Sequence, residues 1–296
     1  MIVVAALDVR ISILALCRRL SALPLGPLSG CGPVPPAYEN DVRELAELAR
    51  KASCAADPSL DRCEELAALA PLLHRFRAAY EYARERWWAH QVLAHERPVA
   101  ALAALEEETR VWALDRLMVA ELDQCRHIAF VGCGPLPVTA LALTRSTEAE
   151  ITAIDCDPEA VEIARRIVAV AGAERRIRVE PGDATRIELP RGADAVVASV
   201  LTGVDRHGTE HDRTRAVSHL IDILPHGVKL VVREPRGLGW LLYPRSGLPS
   251  LPGLSAVRKE PGPDERPYFT CILTFEKRAP CAPPATSPIS SDPACP

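Results

Sequence analysis

The sequence lacks the features that mark secreted, membrane-spanning and nucleic-acid-binding proteins. Its ten cysteines contain no C-x-x-C pair, so the pattern indicates neither a zinc site nor a redox pair. Several cysteines stand in apolar segments, where this residue usually packs as a small hydrophobe. The net charge is -4 and no basic run stands out, which argues against binding of nucleic acid through phosphate contacts. We therefore expect a cytoplasmic protein with reduced thiols and no nucleic-acid partner.

Long uninterrupted apolar runs are also missing. The first 20 residues are mostly apolar, but Asp8 and Arg10 interrupt them, and the stretch is too short and too charged to span a membrane. It is either an amphipathic helix or a non-native extension, and no membrane partner is expected. Residues 20–40 are rich in Pro and Gly, as is typical of a linker. Residues 279–296 are rich in Pro and Ser and are predicted to be disordered.

The whole chain has 296 residues and 48% hydrophobic content, which is enough for two domains with a sizeable core. Two sequence patterns divide the part between the two ends. Apolar residues recur at helical spacing up to residue 122, whereas short apolar runs alternate with helices from residue 127 onward. We predict an all-helical domain over residues 1–122, with 1–40 as a poorly defined extension and linker, and a Rossmann-like α/β domain over 123–278. The predicted helices are residues 42–52, 72–93 and 99–122, and the predicted strands are residues 128–131, 151–154, 177–180, 194–199, 228–233 and 269–275.

A nucleotide-type motif opens the α/β region. The apolar run from Ile128 to Val131 leads into a Gly-x-Gly turn, and after a helical pattern a second apolar run stops at Asp155. Strand, glycine turn, helix, strand and acid is the layout of a nucleotide site on a parallel sheet, where the acid bonds two ribose hydroxyls. The alternative is a turn that merely reverses the chain. We favour a site for an adenosine-containing cofactor.

The glycine turn also narrows the choice of cofactor. A dinucleotide-binding turn usually has a small residue at the position where this chain has Pro137. Pro135 and Pro137 also lack the N–H groups that would otherwise bind a pyrophosphate. S-adenosylmethionine carries no phosphate and fits such a turn better. We expect Gly132, Gly134, Pro135 and Leu136 to contact it.

Further candidate cofactor residues follow the other strands. Ligands on such a sheet bind at the carboxyl ends of the strands, at the point where the strand order reverses. Asp157 precedes Pro158 as the N-cap of a helix, and Asp183 with Ala184 follows the third strand. Asp183 either bonds the adenine amino group or is an ordinary turn acid. Ser199 and Leu201 end the fourth strand, where cofactor-dependent transferases often face the substrate.

About 150 residues of the second domain resemble the nicotianamine synthase family, and the likeness is carried by several short segments. The stretch YEYARERWWA (80–89) is similar to a Glu-rich helix of that family. The matching segments in the second domain are VGCGPLPVTALAL (131–143), IDCDPEA (154–160), SVLTGVD (199–205), AVSHLIDILPHGVKLVVRE (216–234) and VVREPRGLGWLLYP (231–244).

This resemblance implies a transferase that uses S-adenosylmethionine as a substrate. The family moves the 3-amino-3-carboxypropyl group to an amine, either of an amino acid or of a second S-adenosylmethionine, and releases 5'-methylthioadenosine in metallophore biosynthesis. It needs no metal. The acceptor would be a small-molecule amine, and the sequence allows a homodimer without requiring one. Two alternatives stay open, an ordinary methyltransferase and a non-catalytic cofactor-binding protein.

The resemblance also assigns roles to individual residues. Glu81 and Glu85 lie one helical turn apart, and either one is a candidate base for the attacking amine. Arg233 is a candidate clamp for a substrate carboxylate, and Tyr243 is a candidate for the same pocket and for catalysis. Each residue also has an alternative role without function. The two glutamates would form ordinary surface ion pairs, Arg233 would pair with Glu234 at the end of its strand, and Tyr243 would be an aromatic of the core.

His207 and His211 are four residues apart and would suit a metal by spacing alone. Gly208 breaks a helix between them, and loops of this composition are usually solvated surface. We therefore predict no metal site.

Overall fold

The computed structural model describes residues 2–30, 32–54, 60, 62–109, 112–204, 213–247, 254–259 and 270–277. Its helices are α1 (Ile2–Ser21), α2 (Gly26–Ser29), α3 (Pro36–Cys54), α4 (Glu64–Ala94), α5 (Pro98–Thr109), α6 (Trp112–Leu122), α7 (Val138–Ser146), α8 (Pro158–Val170), α9 (Arg213–Asp222) and a 3-10 helix (Gly237–Leu241). Its strands are β1 (His127–Val131), β2 (Glu150–Asp155), β3 (Ile177–Pro181), β4 (Ala195–Ala198), β5 (Lys229–Pro235), β6 (Leu254–Lys259) and β7 (Thr270–Lys277).

These strands form one sheet in the order β3-β2-β1-β4-β5-β7-β6. The first five are parallel, while β7 runs antiparallel to both β5 and β6. The last residue of β1, Val131, lies beside Ile154 of β2 on one side and Ala198 of β4 on the other. The chain order reverses between β1 and β4, so a ligand crevice is expected there. The α/β fold predicted from the sequence is confirmed.

Alternate side chains of the central strands fill two apolar layers, one on each face of the sheet. Ile128 and Phe130 of β1 pack with α4 to α8, whereas Ala129 and Val131 pack with α9. Because successive side chains of a strand point to opposite faces, strands buried on both faces are almost continuously apolar. This explains why short apolar runs were sufficient to locate β1, β2, β4 and β5, whereas β3, at the edge of the sheet, alternates buried and more exposed residues.

The N-terminal helices build a third apolar cluster. Ile13, Leu16 and Leu20 of α1 are fully or almost fully buried, and the cluster includes α3, the first half of α4 and the 3-10 helix. The segment 20–40, interpreted from the sequence as a linker, contains α2 and the first turn of α3. Leu28 is buried there because its apolar side chain packs in this cluster.

Other element boundaries differ from the sequence-based prediction. Helix α4 begins at Glu64 and passes through Pro71, and the single helix predicted for 99–122 is described as α5 and α6, with residues 110 and 111 outside the described part. Strand β6 was not predicted. His207, His211 and the C-terminal segment 279–296 lie outside the described residues. Among the described helices, none is both long and apolar enough to cross a membrane.

Candidate active site

A cavity of about 540 Å³ lies at the carboxyl edge of the sheet, over the ends of β1, β2 and β4 and beneath α4. The residues that line it are Ala78, Glu81, Tyr82, Glu85, Val131, Gly132, Gly134, Pro135, Asp155, Cys156, Asp157, Pro158, Gly182, Asp183, Ala184, Ser199, Leu201, Thr202, Gly203 and Val204. Every residue assigned from the sequence to the cofactor, apart from Leu136, is in this lining. The volume is typical of small-molecule sites.

Leu136 is the exception. Its side chain is buried in the apolar layer under the sheet together with Phe130 and Ala140. An apolar side chain between two prolines gains more from the core than from a polar cavity, so the turn directs it inward. Leu136 therefore has a packing role in the structure, and its assignment to the cofactor stays a prediction.

The glycine turn needs both of its glycines. Gly132 and Gly134 have φ values of 79° and 65°, in the left-handed region that glycine adopts most readily. A Cβ built at Gly132 would lie 2.8 Å from Thr202 Oγ1, and one at Gly134 would collide with Glu85 Oε2. The turn therefore allows the backbone of β1 to approach both the β4 end and the helix α4.

Asp155 is fixed by two backbone donors. Its Oδ2 accepts a hydrogen bond from Gly134 N at 2.8 Å, and its Oδ1 accepts one from Asp157 N at 3.0 Å. Burial raises the pKa of Asp155 although these hydrogen bonds oppose the rise. Asp157 caps α8, because its Oδ1 accepts from Glu159 N at 3.1 Å. The acid at the end of β2 is therefore oriented before any ligand arrives.

Asp183 has the geometry of a turn residue. Its Oδ1 accepts hydrogen bonds from both the N–H and the hydroxyl of Thr185, each at 2.8 Å. The side chain and the adjacent Ala184 still border the cavity. Asp183 thus lies where an adenine contact is expected, while its Oδ1 stabilises the turn that it forms with Thr185.

One face of α4 forms the roof of the cavity. Ala78, Glu81, Tyr82 and Glu85 are spaced by three and four residues and all line it. The structure therefore brings both candidate bases to the cavity that also contains the glycine turn. Tyr82 was not singled out from the sequence, and its hydroxyl donates to Glu159 Oε2 at 3.1 Å.

The two glutamates have opposite electrostatic surroundings. Glu81 forms ion pairs with Arg77 and, at 3.3 Å, with Arg84, and it accepts a hydrogen bond from the Tyr243 hydroxyl at 3.4 Å. Burial alone would raise the pKa of Glu81, but these partners outweigh it and lower the pKa. Glu81 is therefore a carboxylate at neutral pH.

Glu85 faces the cavity next to Gly134. Burial, followed by the negative charge of Glu81, raises the pKa of Glu85 to about 8, with Arg84 opposing and Asp155 adding to the rise. The side chain keeps partial exposure because the cavity opens toward it. Two neighbouring acids with pKa values pushed apart are typical of a site with divided acid–base roles.

Tyr243 and Arg233 stand behind the cavity lining. The Tyr243 hydroxyl accepts hydrogen bonds from Arg77 Nε at 3.0 Å and Nη2 at 2.6 Å, so this core aromatic supports Glu81. The positive charge of Arg233 acts to lower the pKa of Glu85. Glu234, a suggested partner of Arg233, pairs with Arg213 at 3.6 Å.

Two sets of contacts around the cavity were not predicted from the sequence, the Arg77–Glu81 ion pair and the hydrogen bonds of Arg213. Arg77 lies one helical turn before Glu81, so its i,i+4 spacing was a readable signal for that pair. Arg213 had no comparable signal, because its partners Glu234 and Ser199 are distant in sequence. In the part of the chain that the structure describes, no cluster of His, Cys, Asp and Glu is arranged to hold a metal ion.

Comparisons with known proteins agree with this architecture. The family model described as nicotianamine synthase protein matches residues 51–275. A solved structure of a mutant of MtNAS superposes with a TM-score of 0.74 at 16% identity, covering 91% of this chain and 98% of that one. At such low identity, this likeness supports the fold alone.

Curated relatives match a shorter part of the chain. Probable nicotianamine synthase 4 of Arabidopsis thaliana is 30% identical over 123 residues, 40% of this chain and 37% of its own length. L-histidine 2-aminobutanoyltransferase of Pseudomonas aeruginosa (strain UCBPP-PA14) is 25% identical over 126 residues, 42% of this chain and 45% of its own. The matched part is thus less than half of each relative. Because the family model covers more than half of this sequence, the chain belongs to the nicotianamine synthase family.

Proposed function

We propose that this chain transfers the 3-amino-3-carboxypropyl group of S-adenosylmethionine to an amine, either of an amino acid or of a second S-adenosylmethionine, and releases 5'-methylthioadenosine. The observation that carries the proposal is the position of Glu85, a half-buried carboxyl that faces the glycine turn from the opposite wall of the cavity. A methyltransferase needs the part of this cavity that the sheet forms, whereas an ammonium group must also lose a proton to a base before its nitrogen can attack.

The cavity fits S-adenosylmethionine in its chemistry. Asp155 is oriented to accept from ribose hydroxyls, and Pro135 borders the cavity where a pyrophosphate site would offer an N–H. The cradle at Gly132 and Gly134 would be filled by any Cβ. S-adenosylmethionine supplies a sulfonium, which activates its three attached carbons toward nucleophiles. Solved structures of MtNAS hold S-adenosylmethionine in one case, and MTA and tNA in another.

Glu85 acts as the base in the proposed reaction. An amino-acid amine arrives protonated, and the ionised form of Glu85, whose pKa is about 8, is a far stronger base toward that proton than an ordinary glutamate is. Because only the ionised form accepts a proton, turnover should rise with pH toward 8. The neutral nitrogen then attacks the carbon next to sulfur, the carbon–sulfur bond breaks, and its electron pair stays on sulfur. The roof formed by α4 excludes water and holds the amine in line with that carbon.

Glu81 and Arg233 have positioning and binding roles. Glu81 stays ionised between Arg77 and Arg84, so its negative charge increases the proton affinity of Glu85, and its ion pairs orient the roof helix. Arg233 lies close enough to influence Glu85 and is suited to a carboxylate of the acceptor. Tyr243 supports Glu81 through its hydrogen bonds with Arg77 and with Glu81 itself.

The biological setting follows from the same assignment. A product with several amines and carboxylates suits metal chelation, so we infer a role in metallophore biosynthesis with a small amine or amino acid as the acceptor. The enzyme itself is expected to need no metal, and a cytoplasmic location stays a prediction.

Product analysis tests the proposal. The protein is incubated with S-adenosylmethionine and a pool of amino acids, and nucleosides and adducts are identified by mass spectrometry. We expect 5'-methylthioadenosine and an acceptor heavier by the aminocarboxypropyl group, with both lost in the Glu85→Gln variant. S-adenosylhomocysteine as the sole nucleoside would establish a methyltransferase instead, and intact S-adenosylmethionine that still binds would indicate a non-catalytic protein.

A further inference from the structure

Arg213 is a buried cation that binds backbone carbonyls at the carboxyl edge of the sheet. Its side chain is 1% exposed. Nη1 donates to Ser199 O at 2.8 Å and to Thr202 O at 3.3 Å, and Nη2 donates to Arg233 O at 2.5 Å. One guanidinium therefore joins the end of β4 to the end of β5, because its donors are fixed in a planar fork.

Glu234 is the buried partner of this guanidinium. Its carboxylate lies 3.6 Å from Arg213 Nη2, its side chain is 8% exposed, and its Oε1 accepts from Ser246 N at 2.8 Å. Burial lowers the pKa of Arg213 to about 10, which still leaves it charged at neutral pH. A buried ion pair contributes little to stability compared with an apolar replacement, so its presence calls for a more specific role.

Two of the three carbonyls that Arg213 binds, those of Ser199 and Thr202, belong to the wall of the cavity. Ser199, Thr202 and Gly203 all line it, and Thr202 Oγ1 donates to Val131 O at 3.0 Å. Gly203 has a φ of 84°, and a Cβ there would lie 2.8 Å from Arg213 Cα. The wall is thus packed directly on Arg213, and a displacement of Arg213 would be transmitted to the glycine turn.

The ion pair of Arg213 and Glu234 is also connected to the roof helix on the opposite side of the cavity. Ser246, which donates to Glu234, follows Tyr243 by three residues, and the Tyr243 hydroxyl contacts Glu81 of the roof helix. A continuous path of bonded groups therefore runs from the β4 wall through Arg213 and Glu234 to the segment that supports Glu81.

We propose that Arg213 and Glu234 are positioning residues that hold the β4 wall of the cavity in the arrangement that binds S-adenosylmethionine. The inference rests on the proposed function only in taking S-adenosylmethionine as the ligand. Neither residue lines the cavity, so both act through Ser199 and Thr202.

Calorimetry with S-adenosylmethionine tests the inference on Arg213→Met, Arg213→Lys and Glu234→Gln. Loss of the buried hydrogen bonds in Arg213→Met should weaken binding by about 10- to 100-fold, and Arg213→Lys should restore part of that loss because it keeps the charge. Glu234→Gln, which keeps the acceptor for Ser246 but removes the charge, should fall between wild type and Arg213→Met. The KM for S-adenosylmethionine should rise more than kcat falls.

Arg176→Met is the matched control. Arg176 also donates to three backbone carbonyls, of Thr144, Thr147 and Ala149 at 2.7–2.8 Å, but at the amino edge of the sheet. It should lose stability while its affinity stays within about twofold of wild type, because distant sites are nearly independent.

The outcomes separate the two proposals. Failure of the wild type to bind S-adenosylmethionine would refute the proposed function, whereas wild-type binding with unchanged affinity in the variants would overturn the positioning role alone. An equal loss of affinity in Arg176→Met would also overturn it, since the effect would then be general destabilisation. If Arg213→Met does not fold, the graded comparison of Arg213→Lys with Glu234→Gln decides in the same way.

Discussion

Replacing Glu85 by Gln should make the protein more stable at alkaline pH while lowering its turnover. The folded protein holds the pKa of Glu85 at about 8, compared with a usual value of 4.5, chiefly because the carboxyl is buried. The folded state therefore retains a proton that the unfolded state has already released, and stability falls as pH rises between these two values. Glutamine is neutral at every pH and does not carry this cost.

The magnitude follows from the same two pKa values. Each pH unit between them corresponds to about 1.4 kcal/mol, so full ionisation of Glu85 costs at most about 5 kcal/mol. The open cavity solvates part of the carboxylate, which reduces the expected difference to about 2–3 kcal/mol. The contribution of Glu85 is fully present below pH 4.5 and is lost as pH rises through 8. Turnover should fall by about 100-fold or more.

Urea unfolding of the ligand-free protein at pH 5 and pH 9 measures this effect directly. The difference between wild type and Glu85→Gln is compared at the two pH values, so that groups titrating equally in both proteins cancel. Glu81→Gln is the control with the opposite sign. The pKa of Glu81 is lowered by Arg77 and Arg84, so its stabilisation is present above its usual pKa and is lost as pH falls through the lowered value.

Two results would refute the reasoning. If Glu85→Gln and wild type differ by the same amount at pH 5 and pH 9, the carboxyl of Glu85 is not held neutral by the fold. If Glu85→Gln is stabilised at pH 9 but keeps full turnover, the pKa is perturbed without serving the reaction, and another group accepts the proton.

Three further predictions concern the cavity. Asp155→Ala should weaken S-adenosylmethionine binding by about 1.5–3 kcal/mol in calorimetry, and unchanged affinity would exclude Asp155 from the site. Gly134→Ala should lower both affinity and turnover, because the new Cβ collides with Glu85. Gly227→Ala is the control, since Gly227 has a φ of 80° and its Cβ would meet no atom within 4 Å, so this variant should lower only the melting temperature. Equal effects of the two variants on affinity and turnover would show that backbone strain alone is responsible. Tyr243→Phe should lower kcat with little change in affinity for S-adenosylmethionine, and a loss confined to affinity would contradict its role behind the roof helix.

The central sheet was predictable because its signals are local. Strands β1, β2, β4 and β5 contain short apolar runs, whereas β3 alternates apolar with charged residues. The glycine turn with Asp155, twenty-three residues after Gly132, identifies the crevice from spacing alone. Strand β6 was not predictable in this way. It contains Arg258 and Lys259 and the exposed Val257, and it pairs within the sheet only with β7, so its formation depends on a tertiary partner.

The helical region was harder to interpret for a related reason. A Pro- and Gly-rich composition in residues 20–40 favours loops, yet Leu28 and Tyr38 of this segment are buried against other helices. The direction of a single side chain is equally hidden in sequence. Leu136 was assigned to the cofactor from its place in the turn, but the apolar layer beneath the sheet determines where it points.

The assignment of the base shows where sequence spacing stops being informative. Glu81 and Glu85 are the same residue type on one face of one helix, and the i,i+4 spacing from Arg77 to Glu81 is the local signal that distinguishes them. The rest of their difference arises from tertiary neighbours, because the Tyr243 hydroxyl donates to Glu81, whereas Glu85 faces the glycine turn at Gly134 and a second acid, Asp155. A sheet alone would expose such a carboxyl to water and restore its usual pKa. In the proposed reaction the helical region therefore serves the chemistry as well as the shape of the cavity, because it buries one carboxyl to a degree that the nearby charges of Arg84 and Arg233 do not offset.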